Sequence, residues 1–378
     1  MKALVLFFIV TICAASLSFA QGGGGGGSQS VATLQIGDRV AVPGSVIRVK
    51  MKIETSVPIR GIDLLLVYPS DTLAARSWFW VNWWEFGGWL VAQNAKPDSD
   101  HIAMASRFPF VGSAVLGSFR VRLSSYVAPG IVVPFPRLIA SLNDTIVPTL
   151  IVGSVIAGPH VMFGDVNQNG ALTVGDVVRA LDIAIPDPDS GRTVSQVEFL
   201  AADVSGDGEI ETYDCWQILY KVVFPEYRFD VEDWEKSSVG IGLGSAAPIV
   251  IEETSEGVWV KIGKGAYVRN GDFTVHAART VTLEVQDALR AAFYKTVAGT
   301  DDHRVGFVKI EPFAAGEALL FLSGVRADEV EVRGTVNEGI PFIAARVGGV
   351  TFVEPPETIP ERFALAQNYP NPFNPMTT

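Results

Sequence analysis

Cysteine is almost absent from this chain of 378 residues, with only Cys13 in an apolar leader and Cys215 far downstream. Once the leader is removed one thiol remains, so no internal disulfide can form. Oxidation is therefore not the stabilising device, and Cys215 reads as a small buried hydrophobe. Histidine is scarce too: His101, His160, His276 and His303 are scattered, without metal-ligand spacing. Basic runs are lacking, and the net charge of −12 argues against nucleic acid and anionic membranes as partners. There is no G-x-S-x-G, no phosphate-cradling glycine loop and no Cys/His pair. The chain reads as non-catalytic. Paired carboxylates for glycoside hydrolysis stay open, because such pairing is spatial, but no segment has the size of a hydrolase barrel. After residue 20, no apolar run approaches the length of a membrane span.

What is present falls into blocks. Residues 1–20 read as a secretory signal: Lys2, an apolar run from Ala3 to Leu17, then Ser18-Phe19-Ala20. The expected destination is outside the cell or its surface. Residues 21–30 form a glycine-rich tether. Residues 31–158 read as β. Ile47, Val49, Met51 and Ile53 alternate with Arg48, Lys50, Lys52 and Glu54, which predicts a strand with one wet face. Residues 62–68 read as a strand buried on both faces. Residues 248–353 are β again, with strands expected around Val258, Val281, Val305 and Val330. A helix-like stretch at 287–293 interrupts them. Residues 225–247 read as a linker, and 354–378 as a proline-rich spacer and tail.

Between the two β-regions lie two loops, 165–176 and 203–214. Oxygen-bearing side chains stand at loop positions 1, 3, 5, 9 and 12, and glycine at position 6. That is calcium-loop spacing: hard oxygens converge from one short turn, and the carbonyl at position 7 adds a backbone ligand. Asx-turns alone would explain one such loop. Two, each leading into an apolar-periodic helix, point to calcium. The helices are expected to pack through Val177, Val178, Leu181, Trp216, Leu219 and Val222.

The strings FGDVNQNGALTVGDVVRALDIAI and AADVSGDGEIETYDCWQILYKVV resemble a dockerin module over residues 162–224. Asp176 and Asp214 end the loops where an ordinary EF-hand has Glu, and no helix is expected before either loop. The resemblance implies two calcium sites. The first would use Asp165, Asn167, Asn169, the Ala171 carbonyl, Thr173 and Asp176. The second would use Asp203, Ser205, Asp207, the Glu209 carbonyl, Glu211 and Asp214. More carboxylates in the second imply tighter binding there. Positions 10 and 11, which steer partner choice in dockerins, are Val174-Gly175 and Thr212-Tyr213, and the implied partner is a cohesin-type domain.

Residues 31–158 resemble a cohesin-type domain or its carbohydrate-binding relatives, through IGDRVAVPGSVIRVKMKIETSVPIRGIDLLLVYPSDTL and IASLNDTIVPTLIVGSVIAG. The stretch VRGTVNEGIPFIAARVGGV near the end echoes the latter, with Asn337-Glu338 opposite Asn143-Asp144. This suggests a diverged second copy. FALAQNYPNPFNPMTT resembles the opening of a type IX secretion sorting domain, and a truncated one is expected because the sequence stops at Thr378.

The middle of the first β-region is rich in tryptophan. Trp78 and Trp80 share a strand face and read as core. Trp83, Trp84 and Trp89 stay open between core and an aromatic platform for a sugar ring or a partner. The expectation is thus a multidomain, mainly β chain: two β-sandwiches of jelly-roll, cohesin-like type around a small α-helical dockerin-like module. Its function would be calcium-stabilised protein–protein assembly. The alternative is a carbohydrate-binding accessory of extracellular polysaccharide degradation.

Overall fold

The computed structural model describes residues 31–68, 71–75, 79–81, 86, 88–96, 99–233, 247–278, 280–298, 302–337 and 340–347. The signal, the tether, the sorting motif and Trp78, Trp83 and Trp84 lie outside them.

The first β-region contains β1 (Ala32–Ile36), β2 (Arg39–Ala41), β3 (Val46–Val67), β4 (Leu73–Ala75), β5 (Trp80–Val81), β6 (Leu90–Lys96), β7 (Ser99–Leu123), β8 (Val132–Pro134), β9 (Arg137–Leu142), β10 (Thr149–Val152) and β11 (Ser154–Ala157). Two long antiparallel strands, β3 and β7, carry the larger sheet. The first half of β3 also pairs with β1, and its second half with β9. The register shifts between Thr55 and Ile59. Pro58 lies there and has no N–H to give a ladder. A smaller sheet in the order β2-β11-β8 closes over the larger one. Both contribute to a single apolar core, so the region is a β-sandwich. Ile47, Val49, Met51 and Ile53 are buried, as their alternation predicts. Residues 62–68 differ from expectation: Ile62, Leu64 and Leu66 are buried, but Asp63 and Val67 face solvent. Only one face of that half-strand is covered.

The middle segment has three helices: α1 (Val174–Ala184), α2 (Gln196–Ala202) and α3 (Thr212–Val223). Val177, Ala180, Leu181 and Ala184 face inward from α1, and Cys215, Ile218 and Leu219 from α3. Val178 is exposed instead of packed, because it sits one position off the 3.6-residue stripe. The expected linker is partly core. Phe229 and Val231 are buried in the same cluster as the helices, so residues 225–233 belong to the helical module. Residues 234–246 lie outside the described set.

The second β-region contains β12 (Ile249–Glu253), β13 (Gly257–Ile262), β14 (Asn270–Ala277), β15 (Thr282–Val285), β16 (Phe293–Ala298), β17 (Asp302–Val308), β18 (Ala318–Ser323), β19 (Val330–Val336), β20 (Ile340–Ile343) and β21 (Ala345–Val347). Two sheets, β15-β18-β13-β12-β21 and β16-β17-β14-β19-β20, enclose one core. The helix-like stretch is a single turn, α4 (Asp287–Arg290).

The two sandwiches share two devices. In each, the first strand pairs in parallel with a late strand, β1 with β10 and β12 with β21. In each, an asparagine with left-handed backbone clamps a backbone stretch distant in sequence. Asn143 (φ 49°) accepts from the Arg60 N–H at 2.8 Å and donates to the Pro58 carbonyl at 2.9 Å. Asn337 (φ 52°) accepts from the Arg269 N–H at 3.0 Å and donates to the Tyr267 carbonyl at 2.6 Å. Asparagine tolerates that conformation and its amide mimics a backbone turn. The sequence echo at Asn143 and Asn337 therefore marks equivalent structural positions.

Candidate metal centre

Each loop begins from its own terminal residues. Asp165, at position 1, accepts from the N–H of Asn169 at 3.0 Å and of Gly170 at 2.8 Å. Asp203 does the same for Asp207 at 3.1 Å and Gly208 at 3.0 Å. Asp176, at position 12, accepts from the N–H of Asn167 at 3.1 Å and of Thr173 at 2.8 Å. Asp214 repeats this with Ser205 at 2.8 Å and Glu211 at 2.9 Å. Position 5 bonds the position-7 N–H in both, Asn169 to Ala171 at 2.8 Å and Asp207 to Glu209 at 3.0 Å. Glycine at position 6 takes φ near 80° in both loops (Gly170 80°, Gly208 79°), a left-handed turn that costs glycine little. The two loops are thus the same backbone object built from different side chains.

The last ligand position doubles as helix architecture. Thr173 caps α1 and its N–H and hydroxyl both donate to Asp176, a reciprocal capping box. Glu211 and Asp214 stand in the same places at α3. Helix start and candidate ligand are one decision of the sequence.

The surroundings of the loops differ. Asn167, Asn169, Ala171 and Thr173 of the first loop are exposed, with Asp165 and Asp176 buried. In the second, Asp203, Ser205, Asp207 and Asp214 are all buried. Burial, with the Asp207 charge added, pushes the Asp203 carboxyl up to about 7. The same two causes push Glu211 up to about 7. Burial, with the charges of Asp203 and Asp207, raises Asp214 well above the carboxylate range. Confining several carboxylates out of water disfavours their charged forms unless a cation answers them.

That donor set, all oxygen and over-charged where it is buried, fits a hard divalent ion. The loops do not present a ready-made cage: among the described residues, no three His, Cys, Asp or Glu side chains gather around one point. A bound calcium would supply the positive charge that the buried carboxylates lack. The residues to hold it are Asp165, Asn167, Asn169, Ala171, Thr173 and Asp176, and Asp203, Ser205, Asp207, Glu209, Glu211 and Asp214.

Two site features escaped the sequence reading. The second loop does have a helix before it, α2, with Ser195 and Glu198 in a capping box. The S-x-x-E signal was legible at 195–198, but its helix is short. The other is the neighbourhood. Arg48 N–H of β3 donates to the Gly206 carbonyl at 2.7 Å, and Val46 N–H to the Val231 carbonyl at 2.9 Å. Lys50 places its ammonium 2.9 Å from Asp207 and 2.5 Å from Glu209. Burial would lower the Lys50 pKa, but those two negative charges more than offset it and keep the amine charged. On the other side, Ile185 after α1 packs on Gly306 of β17, where a Cβ would lie 2.3 Å from its side chain. Lys295 pairs with Asp182 at 2.8 Å.

These contacts correct the partner-binding expectation at the second loop. Thr212 is 2 % exposed and its hydroxyl lies 3.4 Å from Asn270 of β14. Tyr213 is 8 % exposed and its hydroxyl donates to Asp230 at 3.3 Å. Both are used within the chain. Val174 is 50 % exposed and Gly175 is exposed. Of the three tryptophans left open between core and platform, only Trp89 is among the described residues, and it falls on the core side. Trp89 is 7 % exposed and packs edge-on against Phe86 inside the first core, because an indole that close to the glycine turn still finds the apolar side of the sheet.

No family of known proteins matches the chain, and no curated protein matches it either. Solved structures do resemble it. A non-cellulosomal cohesin of the archaeon Archaeoglobus fulgidus is 18 % identical with a TM-score of 0.30, over 34 % of this chain and 93 % of that one. A type III cohesin module from a cell-surface anchoring scaffoldin of Ruminococcus flavefaciens is 13 % identical with a TM-score of 0.30, over 35 % and 90 %. A type I cohesin–dockerin complex of Clostridium thermocellum gives 18 % and 0.28, over 34 % and 99 %. All three are cohesin structures. Among the described residues, no helix is long and apolar enough to cross a membrane.

Proposed function

We propose that this chain is a secreted, non-catalytic assembly protein. A calcium-binding, dockerin-like module holds its two sandwiches, of which the first is cohesin-like, and it acts at the cell surface or outside the cell. The observation that carries the reading is the repeated loop: two short turns in which the oxygens at positions 1, 5 and 12 accept the same set of loop N–H groups. Buried, mutually repelling carboxylates in the second loop favour a folded state that holds a cation, and binding only to that state stabilises it by about 2.7 kcal/mol at a hundredfold excess over Kd.

The module also shares surface with both sandwiches, so calcium in the loops would stiffen the whole chain rather than one segment. Partner docking through a cohesin-type domain would have to use the first repeat, at Val174 and Gly175, because the second repeat is covered. The test is thermal unfolding of the full chain with calcium and with excess chelator. A rise in Tm of several degrees with calcium, reversed by chelator, supports the proposal. Equal curves would sink it. Capture of a cohesin-bearing protein that chelator abolishes would support the assembly role.

A further inference from the structure

The second loop meets β3 of the first sandwich through an ionic contact. Asp207 Oδ1 already accepts from the Glu209 N–H at 3.0 Å. Its other oxygen, Oδ2, lies 2.9 Å from the Lys50 ammonium, so the negative charge at loop position 5 is already answered by a cation from β3. Glu209 Oε2 holds the same ammonium at 2.5 Å. In the first loop the matching residue, Asn169, is neutral and exposed. A lysine is a compact charge on a flexible stem, so its amine can move while the Arg48–Gly206 backbone bond, 2.7 Å long, stays in place.

We propose that Lys50 is a tethered competitor for the second calcium loop: its ammonium answers the Asp207 charge that the ion would otherwise draw on, and calcium binding at 203–214 repels it toward Glu209 and solvent. The first sandwich thereby sets the affinity of a metal site in another part of the chain. This rests on the calcium reading above. It makes the second site, and not the first, responsive to how that sandwich is seated.

The experiment uses the full chain. Calcium is titrated calorimetrically into the wild type, Lys50→Met and Lys52→Met. Lys52 is exposed on the same strand, so its loss removes the same charge away from the loop. Lys50→Met is expected to tighten one of the two calcium steps about tenfold or more, and Lys52→Met by less than about twofold, since a cation in contact outweighs a screened one. In parallel, acetylation of the Lys50 amine in the wild type is followed by mass spectrometry. It should run severalfold faster with calcium than without. Equal effects of the two variants, or unchanged Lys50 acetylation while calcium is bound, overturns the proposal. No calcium uptake by the wild type overturns instead the calcium reading beneath it.

Discussion

The two loops share one backbone and differ in nearly everything around it. The first, 165–176, keeps its middle in water and carries Asn167 and Asn169 where the second has Ser205 and Asp207. The second is enclosed between α2, β3 and the 225–233 segment, with its carboxylates pushed toward neutrality by burial. Even position 4 tells them apart. Gln168 takes φ 59° in the open loop, where Gly206 takes φ 72° with Val46 carbonyl 2.6 Å from where a Cβ would sit. A repeated sequence motif thus yields one site open to solvent and one built into an interface. Local geometry is inherited from the motif, whereas accessibility and charge balance come from what packs against it.

The largest expected effect breaks this difference directly. Gly206→Gln gives the second loop the residue of the first, and should cost about 4 kcal/mol from left-handed strain and the clash with Val46. Gln168→Gly should change stability by less than about 1 kcal/mol. Denaturant unfolding of both variants reads the contrast; similar losses would mean that the enclosure does not matter.

Position 10 gives the next contrast. Thr212→Asp buries a charge beside Asn270 and should cost about 3 kcal/mol, against about 0.5 kcal/mol or less for Val174→Asp at the exposed equivalent. The midpoint of urea unfolding measures each. The third sharpens the metal reading. With more carboxylates, the second loop is expected to bind calcium about tenfold tighter or better. Titrations of Asp165→Ala and Asp203→Ala, each leaving the other loop intact, compare the two; equal affinities would cancel the charge argument.

The smallest effect tests the helix that only the second loop has before it. Burial pushes the Glu198 carboxyl up, but the Ser195 N–H and Arg179 more than offset this and hold it at about 2. A depressed carboxylate stabilises the fold above its unfolded pKa, near 4.3, and that contribution fades as pH falls toward 2. Glu198→Gln should therefore cost about 1 kcal/mol near neutral pH, with the gap to wild type closing below about pH 4. A gap unchanged by acid would point to packing alone.

Legibility followed the range of the interactions. The β-strand alternation from Ile47 to Ile53, the glycines at position 6 and the capping pairs Thr173–Asp176 and Glu211–Asp214 are local, and each could be read from spacing. The echo between Asn143 and Asn337 was legible as well, although its cause, an amide clamping backbone far along the chain, was not. Residues 225–233 were misread because their polar Asp230-Val-Glu-Asp run hides two inward residues, Phe229 and Val231. Thr212 and Tyr213 were expected at a docking surface and Trp89 stayed open for a common reason: exposure is set by neighbours distant in sequence.

The sequence by itself determined the repeated loops, their oxygen donors and the helices that start from them, since those depend on contacts within a dozen or so residues. Only the tertiary structure decided that one loop lies open while the other meets Lys50, Arg48 and Asn270 from both sandwiches. The physical reason is that burial and long-range charge are properties of assembled surfaces, and no spacing rule encodes which surface will arrive.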